Sequence, residues 1–435
     1  MNEKSAAARA SRLLIVPLAA VALIPVLLTE LGVFPIHDLV GDAIPDTIVF
    51  EHGAQGLLQG NLPYSAHFLT APYSHVVFVY PPLSLLLMIP PLLAGSKYSF
   101  GFAIEMILLL AGGLWLLAGA CRRAGVVYPV ALTAAALMVA VGPALVTRVD
   151  GLQGLGVAAA ALALRSRRFA LAVALVTVAA LVKETVVVAA LPIVVWALWP
   201  PEGKGWTEGL GGRAAAVGLG LIPAAVILVT FLVWSQGRVL NAAFASLHRG
   251  VEIESVPATV DYLLRPFFRI TSYTGQIGSV QVSGRLVSPL AAVVAVAGVA
   301  ALIWGSVHFA RARRRPVTAV AFAIAVAVAS TPVLSPQYLL ALLPVLVLAA
   351  TTEFGLTRAN VLLGSGFVMA ILTQIEFPDL FSSVVALDPL AMAIVALRNL
   401  LLIAIAVNLA RADRASTTEL EPSAVIGPTG SADLG

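Results

Sequence analysis

Residues 101–121 read GFAIEMILLLAGGLWLLAGAC and end against Arg122 and Arg123. A helix of about 20 apolar residues is about 30 Å long, which matches the hydrocarbon core of a bilayer. Similar apolar runs recur along most of the chain. The stretch therefore predicts an all-α, polytopic membrane protein in which it is one of the spanning helices.

The composition of the whole chain agrees with this prediction. Of the 435 residues, 60% are hydrophobic, and the mean hydropathy is +0.98. Only 26 basic and 22 acidic residues are present, or 11% of the chain, against about 25% in soluble domains. So few charges exclude a soluble enzyme, a disordered protein and a fibrous protein. A net charge of +4 is no sign of a nucleic-acid partner, and the single cysteine, Cys121, excludes an internal disulfide and a cysteine-based metal site.

The apolar runs predict about 12 spanning helices, within a range of 11 to 13. The first run, residues 13–33, follows Lys4, Arg9 and Arg12 and is too long for the core of a signal peptide, which has about 7–15 residues. The predicted spans cover residues 13–33, 101–121, 127–147, 152–164, 168–183, 185–199, 213–234, 287–309, 316–333, 336–351, 359–376 and 389–410.

The arginines predict the orientation of these spans. Loops rich in Lys and Arg face the cytoplasm, and alternation from the clusters then places both termini inside and the two longest loops, residues 34–100 and 235–286, outside. The basic clusters are Arg122/Arg123, Arg165/Arg167/Arg168, Arg311/Arg313/Arg314/Arg315 and Arg411/Arg414.

Two features depart from regular spanning helices. Residues 76–94 are apolar but contain Pro81, Pro82, Pro90 and Pro91, and counting them as a span would place Arg122 and Arg123 outside. We therefore predict an interfacial or re-entrant helix there. The runs 152–164, 168–183 and 185–199 are too short to cross a 30 Å core, so their ends are predicted to line a cavity within the membrane.

The polar residues that this topology places outside are candidates for chemistry. Asp46 begins a helical stretch, where a carboxylate is suited to cap the helix and also to act as a general base. Tyr64 follows a turn and suits an interfacial anchor or a substrate platform. Arg148, Asp150 and Gln153 form a second group, for which the alternative is a solvated loop with a local ion pair.

Three further groups lie at the same predicted side. Lys183 and Glu184 separate two short spans. Ionisable residues at that depth in a membrane usually mark a functional path. The alternative is an ion pair whose side chains reach the interface. The segment SLHRGVEIESVP carries His248, Arg249 and Glu254, and its alternative is a solvated, mixed-charge face. Gln337 and Tyr338 begin a span after Ser335, whose alternative role is a helix cap.

The motifs of common soluble chemistries are absent from the sequence. It contains no P-loop, no H-E-x-x-H, no G-x-S-x-G and no CxxC pair, and its six histidines are scattered. The predicted cytoplasmic loops are too short for a nucleotide-binding domain. A reaction that uses ATP or a sugar nucleotide inside the cell is therefore disfavoured.

Six short motifs follow one another along the chain: D-x-x-x-F at Asp46–Phe50, G-x-x-P-Y at Gly60–Tyr64, YPPL at Tyr80–Leu83, RGVEIES at Arg249–Ser255, LSPQY at Leu334–Tyr338 and LRN at Leu397–Asn399. Together they resemble glycosyltransferase family 87, a group of the GT-C superfamily found mostly in actinobacteria. The resemblance implies a GT-C-like catalytic domain over residues 1–411. The composition of residues 412–435, which is rich in Ser, Thr, Pro and Gly, predicts a disordered cytoplasmic tail.

The resemblance also implies a reaction and roles for residues. Members of the family transfer a sugar, typically mannose, from a polyprenyl-phosphate donor to a hydroxyl of a cell-envelope glycolipid or polysaccharide. Asp46 matches the catalytic aspartate, and Asp150 is the candidate for a second acidic motif, although Arg-Val-Asp stands where metal-dependent relatives have Asp-x-Asp. No metal or other cofactor is therefore expected.

The other candidate residues take roles around the two substrates. Cations stabilise the charge of a departing phosphate, and Lys183, Arg148, His248 and Arg249 are expected to do so. Asp150, Glu184, Tyr64, Glu254, Gln337 and Tyr338 are expected to contact the substrates. The alternatives are a transporter or flippase of a lipid-linked sugar and a non-catalytic assembly partner.

Overall fold

The structure, a computed structural model, describes residues 46–125, 130–142, 144–242, 249–275 and 279–411. It is built almost entirely of helices. The α-helices are α1 (Asp46–Leu58), α2 (Pro82–Leu87), α3 (Tyr98–Arg123), α4 (Val130–Val139), α5 (Ala144–Thr147), α6 (Asp150–Arg165), α7 (Phe169–Val182), α8 (Ala190–Leu198), α9 (Leu210–Trp234), α10 (Val256–Leu263), α11 (Val287–Ala312), α12 (Pro316–Ser330), α13 (Leu339–Glu353), α14 (Leu356–Gln374), α15 (Phe381–Val385) and α16 (Pro389–Ala410).

Short helices of other types and one hairpin complete the described fold. The 3₁₀ helices are Pro90–Lys97, Glu184–Ala189 and Pro336–Tyr338, and a π-helical turn covers Ile375–Asp379. The strands β1 (Ile270–Thr274) and β2 (Val280–Gly284) pair antiparallel.

The prediction of an all-α, polytopic membrane protein is confirmed. Each predicted run from 101–121 onward coincides with one or more helices, and in the described residues six helices are long and apolar enough to cross a membrane. Four apolar helices are shorter, including α4, α7 and α12. The first predicted span, 13–33, and the predicted tail, 412–435, lie outside the described residues.

The structure contains one break within a predicted run and one break between two predicted runs. Run 127–147 is divided, because α4 ends at Val139 and Gly142 takes the left-handed conformation with φ of +81°, which glycine adopts without strain. The second break confirms the separation of the two short runs around Lys183. Lys183 is extended, with φ of −154° and ψ of 127°, between α7 and the 3₁₀ helix that starts at Glu184.

The proline-rich stretch 76–94 forms no long helix. It contains α2, which has 6 residues, and the start of the 3₁₀ helix at Pro90, each with proline in its first turn. A helix of 6 residues is only about 9 Å long, so neither element crosses a membrane alone. The position of this stretch at an interface stays a prediction.

The core of the bundle lies around α6, α12 and α13. Nearly every residue of α12 and α13 is buried, because small and branched apolar side chains fill the space between neighbouring helices. In contrast, α9 and α11 bury few of their residues. Exposed apolar faces of this extent are expected of helices that face lipid.

Arginines gather at one end of this bundle. Arg165, at the end of α6, lies 3.8 Å from the carboxylate of Glu353, at the end of α13. Glu353 also accepts from the backbone N–H of Thr318 at the start of α12, at 2.8 Å. Arg313, which follows α11, donates to the carbonyl of Trp196 near the end of α8, at 3.1 Å. The opposite ends of α6, α12 and α13 therefore meet at the other end of the bundle.

Two smaller cores cover that other end. The described part of the first long loop packs around aromatic rings, among them Phe50, Phe68, Phe78 and Tyr80. The second long loop contains α10 and the β1–β2 hairpin, which pack against α15 and α16. The described parts of both loops thus lie over the polar end of the bundle.

Candidate active site

The candidate active site lies where several interrupted segments meet. Asp46 is the first residue of α1, Tyr80 precedes α2, Arg148 lies between α5 and α6, and Lys183 separates α7 from the next helix. Because each of these residues stands at the end of a helix or between two helices, its side chain can turn into the same space. The start of α6 and the end of α7 meet here; that these ends line a cavity within the membrane stays a prediction.

The carboxylate of Asp46 is held by an ion pair and a hydrogen bond. Its Oδ2 lies 3.0 Å from Nε of Arg148 and accepts a hydrogen bond of 2.5 Å from the hydroxyl of Tyr80. No described residue donates to Oδ1, and 29% of the Asp46 side chain is exposed. Asp46 therefore presents one bound oxygen and one free oxygen to the site.

Tyr80 connects the acidic and basic parts of the site. Burial and the charge of Asp46 raise the pKa of Tyr80 well above its ordinary value, so the hydroxyl stays protonated and donates. Nζ of Lys183 lies 4.2 Å from the centre of the Tyr80 ring, in a cation–π contact. The ring of Phe50 packs edge-on against Tyr80, with 4.8 Å between centroids.

A hydrogen-bonded group of buried side chains lies behind these residues. Asp150 is buried, and its Oδ1 accepts from the amide of Gln153 at 3.1 Å. The hydroxyl of Thr185 donates to the oxygen of that amide, also at 3.1 Å. The alternative of a solvated loop is therefore wrong for this group, and Arg148 pairs with Asp46 rather than with Asp150.

Arg249 and Glu252 supply a third charged pair. Nη2 of Arg249 bonds to Oε1 of Glu252, and the hydroxyl of Ser335 donates to Oε2 at 3.1 Å. Burial raises the pKa of Glu252, while Arg249, Ser335 and Lys183 oppose the rise. Burial is the largest single influence on the pKa of Arg249 and lowers it, but the pKa is raised overall because Glu252, Tyr338, Tyr80 and Asp46 together outweigh burial.

The structure brings most of the predicted residues into one cluster. Glu184 and Tyr338 lie within electrostatic range of each other and of Asp150. Gln337 stands beside Tyr338 and is half-buried. Tyr64 is buried and donates to the backbone carbonyl of Tyr80 at 2.9 Å, which supports the loop; its contact with substrate stays a prediction. His248 lies outside the described residues.

Glu254 belongs to a separate cluster. Its backbone carbonyl accepts from Arg398 at 2.5 Å and from Asn399 at 3.0 Å. Arg398 also lies 3.1 Å from the buried carboxylate of Glu376. These contacts bind the segment that carries Arg249 to α16, so Glu254 lies behind the candidate site and its predicted contact with substrate stays a prediction.

Sequence reasoning missed three members of the site. Tyr80 was visible only as part of the YPPL motif, and Glu252 only as part of a mixed-charge run. Ser335 was expected as a helix cap, but it makes no capping bond and donates to Glu252 instead. Only the folded chain shows that Tyr80 meets Asp46 and that Ser335 meets Glu252.

The carboxylates of the site do not form a metal centre in the described residues, where no three His, Cys, Asp or Glu side chains come close enough to hold an ion. The cations of Arg148, Lys183 and Arg249 stand among them instead. A site of this kind suits anion binding and proton transfer.

Comparison with known proteins places this site in a family. No curated protein matches the chain significantly. The family model of glycosyltransferase family 87 matches residues 78–336, more than half of the chain. That range includes Tyr80, Arg148, Lys183 and Glu252, whereas Asp46 precedes it. The chain therefore belongs to glycosyltransferase family 87.

Proposed function

We propose that this membrane glycosyltransferase moves a sugar, mannose in the first instance, from a polyprenyl-phosphate donor to a hydroxyl group of a cell-envelope glycolipid or polysaccharide. The observation that carries the proposal is the state of Asp46. Arg148 and Tyr80 hold one carboxylate oxygen, and the other is free of donors from the described residues. A carboxylate fixed in this way is suited to act as a general base.

The proposed step is a single displacement. Oδ1 of Asp46 takes the proton of the acceptor hydroxyl as that oxygen attacks the anomeric carbon of the donor. The bond between the anomeric carbon and the phosphate oxygen breaks, and polyprenyl phosphate departs with the electron pair. Attack from the face opposite the phosphate inverts the configuration, so a β-linked donor gives an α-linked product.

Three cations are available to the leaving phosphate. Arg148, Lys183 and Arg249 all belong to the cluster, and each contacts a carboxylate or an aromatic ring there. Positively charged donors stabilise the charge that develops on a leaving group. When Asp46 accepts the proton, one negative charge of the site is removed while the phosphate gains one. The two charge changes therefore compensate each other.

The location of the site supports a reaction on the outer face of the plasma membrane. The cluster lies at the end of the bundle opposite to Arg165 and Arg313. Basic residues at the ends of spanning helices favour the cytoplasm. A polyprenyl chain then stays in the bilayer while its phosphate reaches the cluster from the outer leaflet. The termini, by the same rule, are cytoplasmic.

The test is transfer from radiolabelled polyprenyl-phosphate-mannose by the purified chain in lipid. Wild type is expected to form product, and Asp46→Asn is expected to lose it by about 10²–10⁴-fold, the usual contribution of a general base. Glu51→Gln is the matched control, because Glu51 is a carboxylate of the same helix that bonds only to Gln55 among the described residues.

Two results would overturn the proposal. Turnover of Asp46→Asn at the wild-type rate would remove Asp46 as the base, and product from a sugar nucleotide but not from the lipid donor would reverse the donor assignment. The alternative of a lipid-linked sugar transporter rests on the buried Lys183 beside Glu184. Movement of the labelled donor across the bilayer without product would favour that alternative.

A further inference from the structure

The segment that carries Arg249 and Glu252 is also the edge of a small sheet. Glu252 pairs with Gln281 of β2 in an antiparallel bridge. Next to the bridge, the N–H of Ile253 donates to Val280 at 3.1 Å, and the N–H of Val282 donates to Val251 at 2.9 Å. Because β2 also pairs with β1, three extended segments lie side by side.

The two faces of this sheet differ in chemistry. Residues that alternate along a strand point to opposite faces, and residues that pair across strands share a face. Val251, Ile253, Val280 and Val282 are buried in the core shared with α10, α15 and α16. The opposite face therefore carries the intervening residues, which are polar.

A row of three side chains crosses that polar face. Glu252 pairs with Gln281, and Gln281 pairs with Tyr273 of β1. The hydroxyl of Tyr273 donates to the amide oxygen of Gln281 at 2.8 Å. Exposure rises along the row, from 2% at Glu252 and 6% at Gln281 to 47% at Tyr273. The row thus runs from the candidate site to the outer surface.

Two glycines leave room for the side chain of Gln281, the middle residue of this row. A Cβ at Gly250 would lie 2.2 Å from the amide oxygen of Gln281, and one at Gly275 would lie 2.3 Å from its nitrogen. Glycine at both positions lets the amide lie flat between the segments. The ring of Tyr273 is consequently held in place by its hydroxyl while much of its surface stays open.

We propose that this polar face binds the acceptor glycan, with Tyr273 as the platform for a sugar ring one or two units away from the reacting hydroxyl; the inference rests on the function proposed above. Neighbouring strands are about 4.8 Å apart, so Tyr273 lies about 10 Å from Glu252 along the row. A glycan that begins on the exposed ring of Tyr273 places its other end at the cluster.

The chemistry of the face fits a carbohydrate better than an apolar partner. Thr271 and Ser283 pair with each other, share the face of Tyr273 and are exposed. Hydroxyl groups both donate and accept hydrogen bonds, as sugar hydroxyls do. A tyrosine ring supplies an apolar surface with a polar edge, which suits the apolar face of a pyranose. The occupant is therefore a glycan chain rather than the lipid of the donor.

The experiment varies the length of the acceptor. Octyl α-mannosides and octyl α-arabinofuranosides of one, two and three sugars serve as acceptors for the purified full chain, with polyprenyl-phosphate-mannose as donor. Fluorescent versions of the same six compounds are used for direct binding. Tyr273→Ala is compared with wild type and with Phe267→Ala, a control that removes another exposed aromatic ring of the same loop.

The expected result is a loss confined to longer acceptors. Wild type should show a KM that falls as the acceptor lengthens, and Tyr273→Ala should lose that gain, by about fivefold for a well-seated aromatic contact. The KM for the donor and the turnover of the single-sugar acceptor should be unchanged, and Phe267→Ala should match wild type. Tyr273→Phe keeps the ring and should retain most of the gain.

The outcomes separate this proposal from the proposed function. Length-dependent binding that needs Tyr273, without transfer, supports the glycan surface and overturns the transfer reaction. Transfer in which Tyr273→Ala and wild type have equal KM values at every length overturns the glycan surface alone. Absence of binding and of any length effect in wild type also overturns it, as does a change in the donor KM only, which would indicate a contact with lipid.

Discussion

Tyr80→Phe tests how the site holds its proposed base. The substitution removes the hydroxyl that donates to Oδ2 of Asp46 at 2.5 Å, but it keeps the ring that lies 4.2 Å from Nζ of Lys183. The salt bridge from Arg148 remains. Asp46 should therefore stay in the site but turn more freely. We expect kcat to fall while the KM for the donor changes little.

The magnitude follows from these contacts. A hydrogen bond to a charged group contributes about 1.5–3 kcal/mol, and the low end applies because 29% of the Asp46 side chain is exposed. About 1.4 kcal/mol corresponds to a tenfold change, so Tyr80→Phe should lower kcat about tenfold. Tyr80→Leu also removes the cation–π contact with the buried Lys183, which contributes about 1–2 kcal/mol. That variant should lose a further fivefold or more, in part through donor binding.

The assay is initial-rate transfer from polyprenyl-phosphate-mannose with donor and acceptor varied separately. Tyr98→Phe is a suitable control, because it removes a buried hydroxyl that bonds to the backbone of Met88 outside the cluster. Its kcat should stay near the wild-type value. A Tyr80→Phe variant with the wild-type kcat, or with a higher donor KM as its sole defect, would refute the reasoning.

Two further predictions concern pH and packing. Burial raises the pKa of Glu252, so as the pH falls this carboxylate should bind a proton above the ordinary glutamate pKa of about 4.3 and release Arg249. Wild type should therefore lose kcat/KM on the acid side of its pH profile, and Glu252→Gln should lack this loss. An identical acid limb in the variant would contradict the prediction. Because the folded state binds that proton more tightly, the contribution of Glu252 to stability should decrease as the pH rises between the unfolded and folded pKa values. Gly154→Ala would place a Cβ 2.0 Å from the carbonyl oxygen of Leu340, whereas a Cβ at Gly112 meets nothing within 4 Å. In thermal unfolding in detergent, Gly154→Ala should lower the free energy of unfolding by about 1–3 kcal/mol, and Gly112→Ala should leave it unchanged. Equal stability of the two variants would show that α6 and α13 separate freely.

Hydropathy was sufficient for the architecture. The apolar runs after residue 100 predicted the positions of the long helices, because each span must be apolar over about 30 Å whatever its neighbours are. Local chemistry also predicted the break at Lys183, since a lysine and a glutamate interrupt two apolar runs. The break at Gly142 was missed because hydropathy alone defined the run, although Gly142 and Pro143 form a dipeptide that commonly interrupts helices.

The candidate site was only partly visible from the sequence. Asp46, Arg148 and Lys183 stood out because charged residues are rare in this chain. Their partners were harder to find: Tyr80 reads as one more aromatic residue of an apolar stretch, and Glu252 as part of a charged loop. Glu254 was selected with Arg249 by proximity in sequence, yet the chain turns directly after Glu252, so residues 252 and 254 lie in different surroundings.

The sequence alone therefore determined that the chain is a helical membrane protein with ionisable groups at the helix ends. The free energy of transferring a segment from water to lipid depends on the residues of that segment, so it can be read from the sequence one segment at a time. Only the tertiary structure decided which groups are partners. Arg148 forms an ion pair with Asp46 rather than with Asp150, which is nearer in sequence. Gln281 pairs with Glu252 in a backbone bridge and accepts a hydrogen bond from Tyr273. Such pairings depend on distances between segments far apart in the chain, and these distances are set by packing.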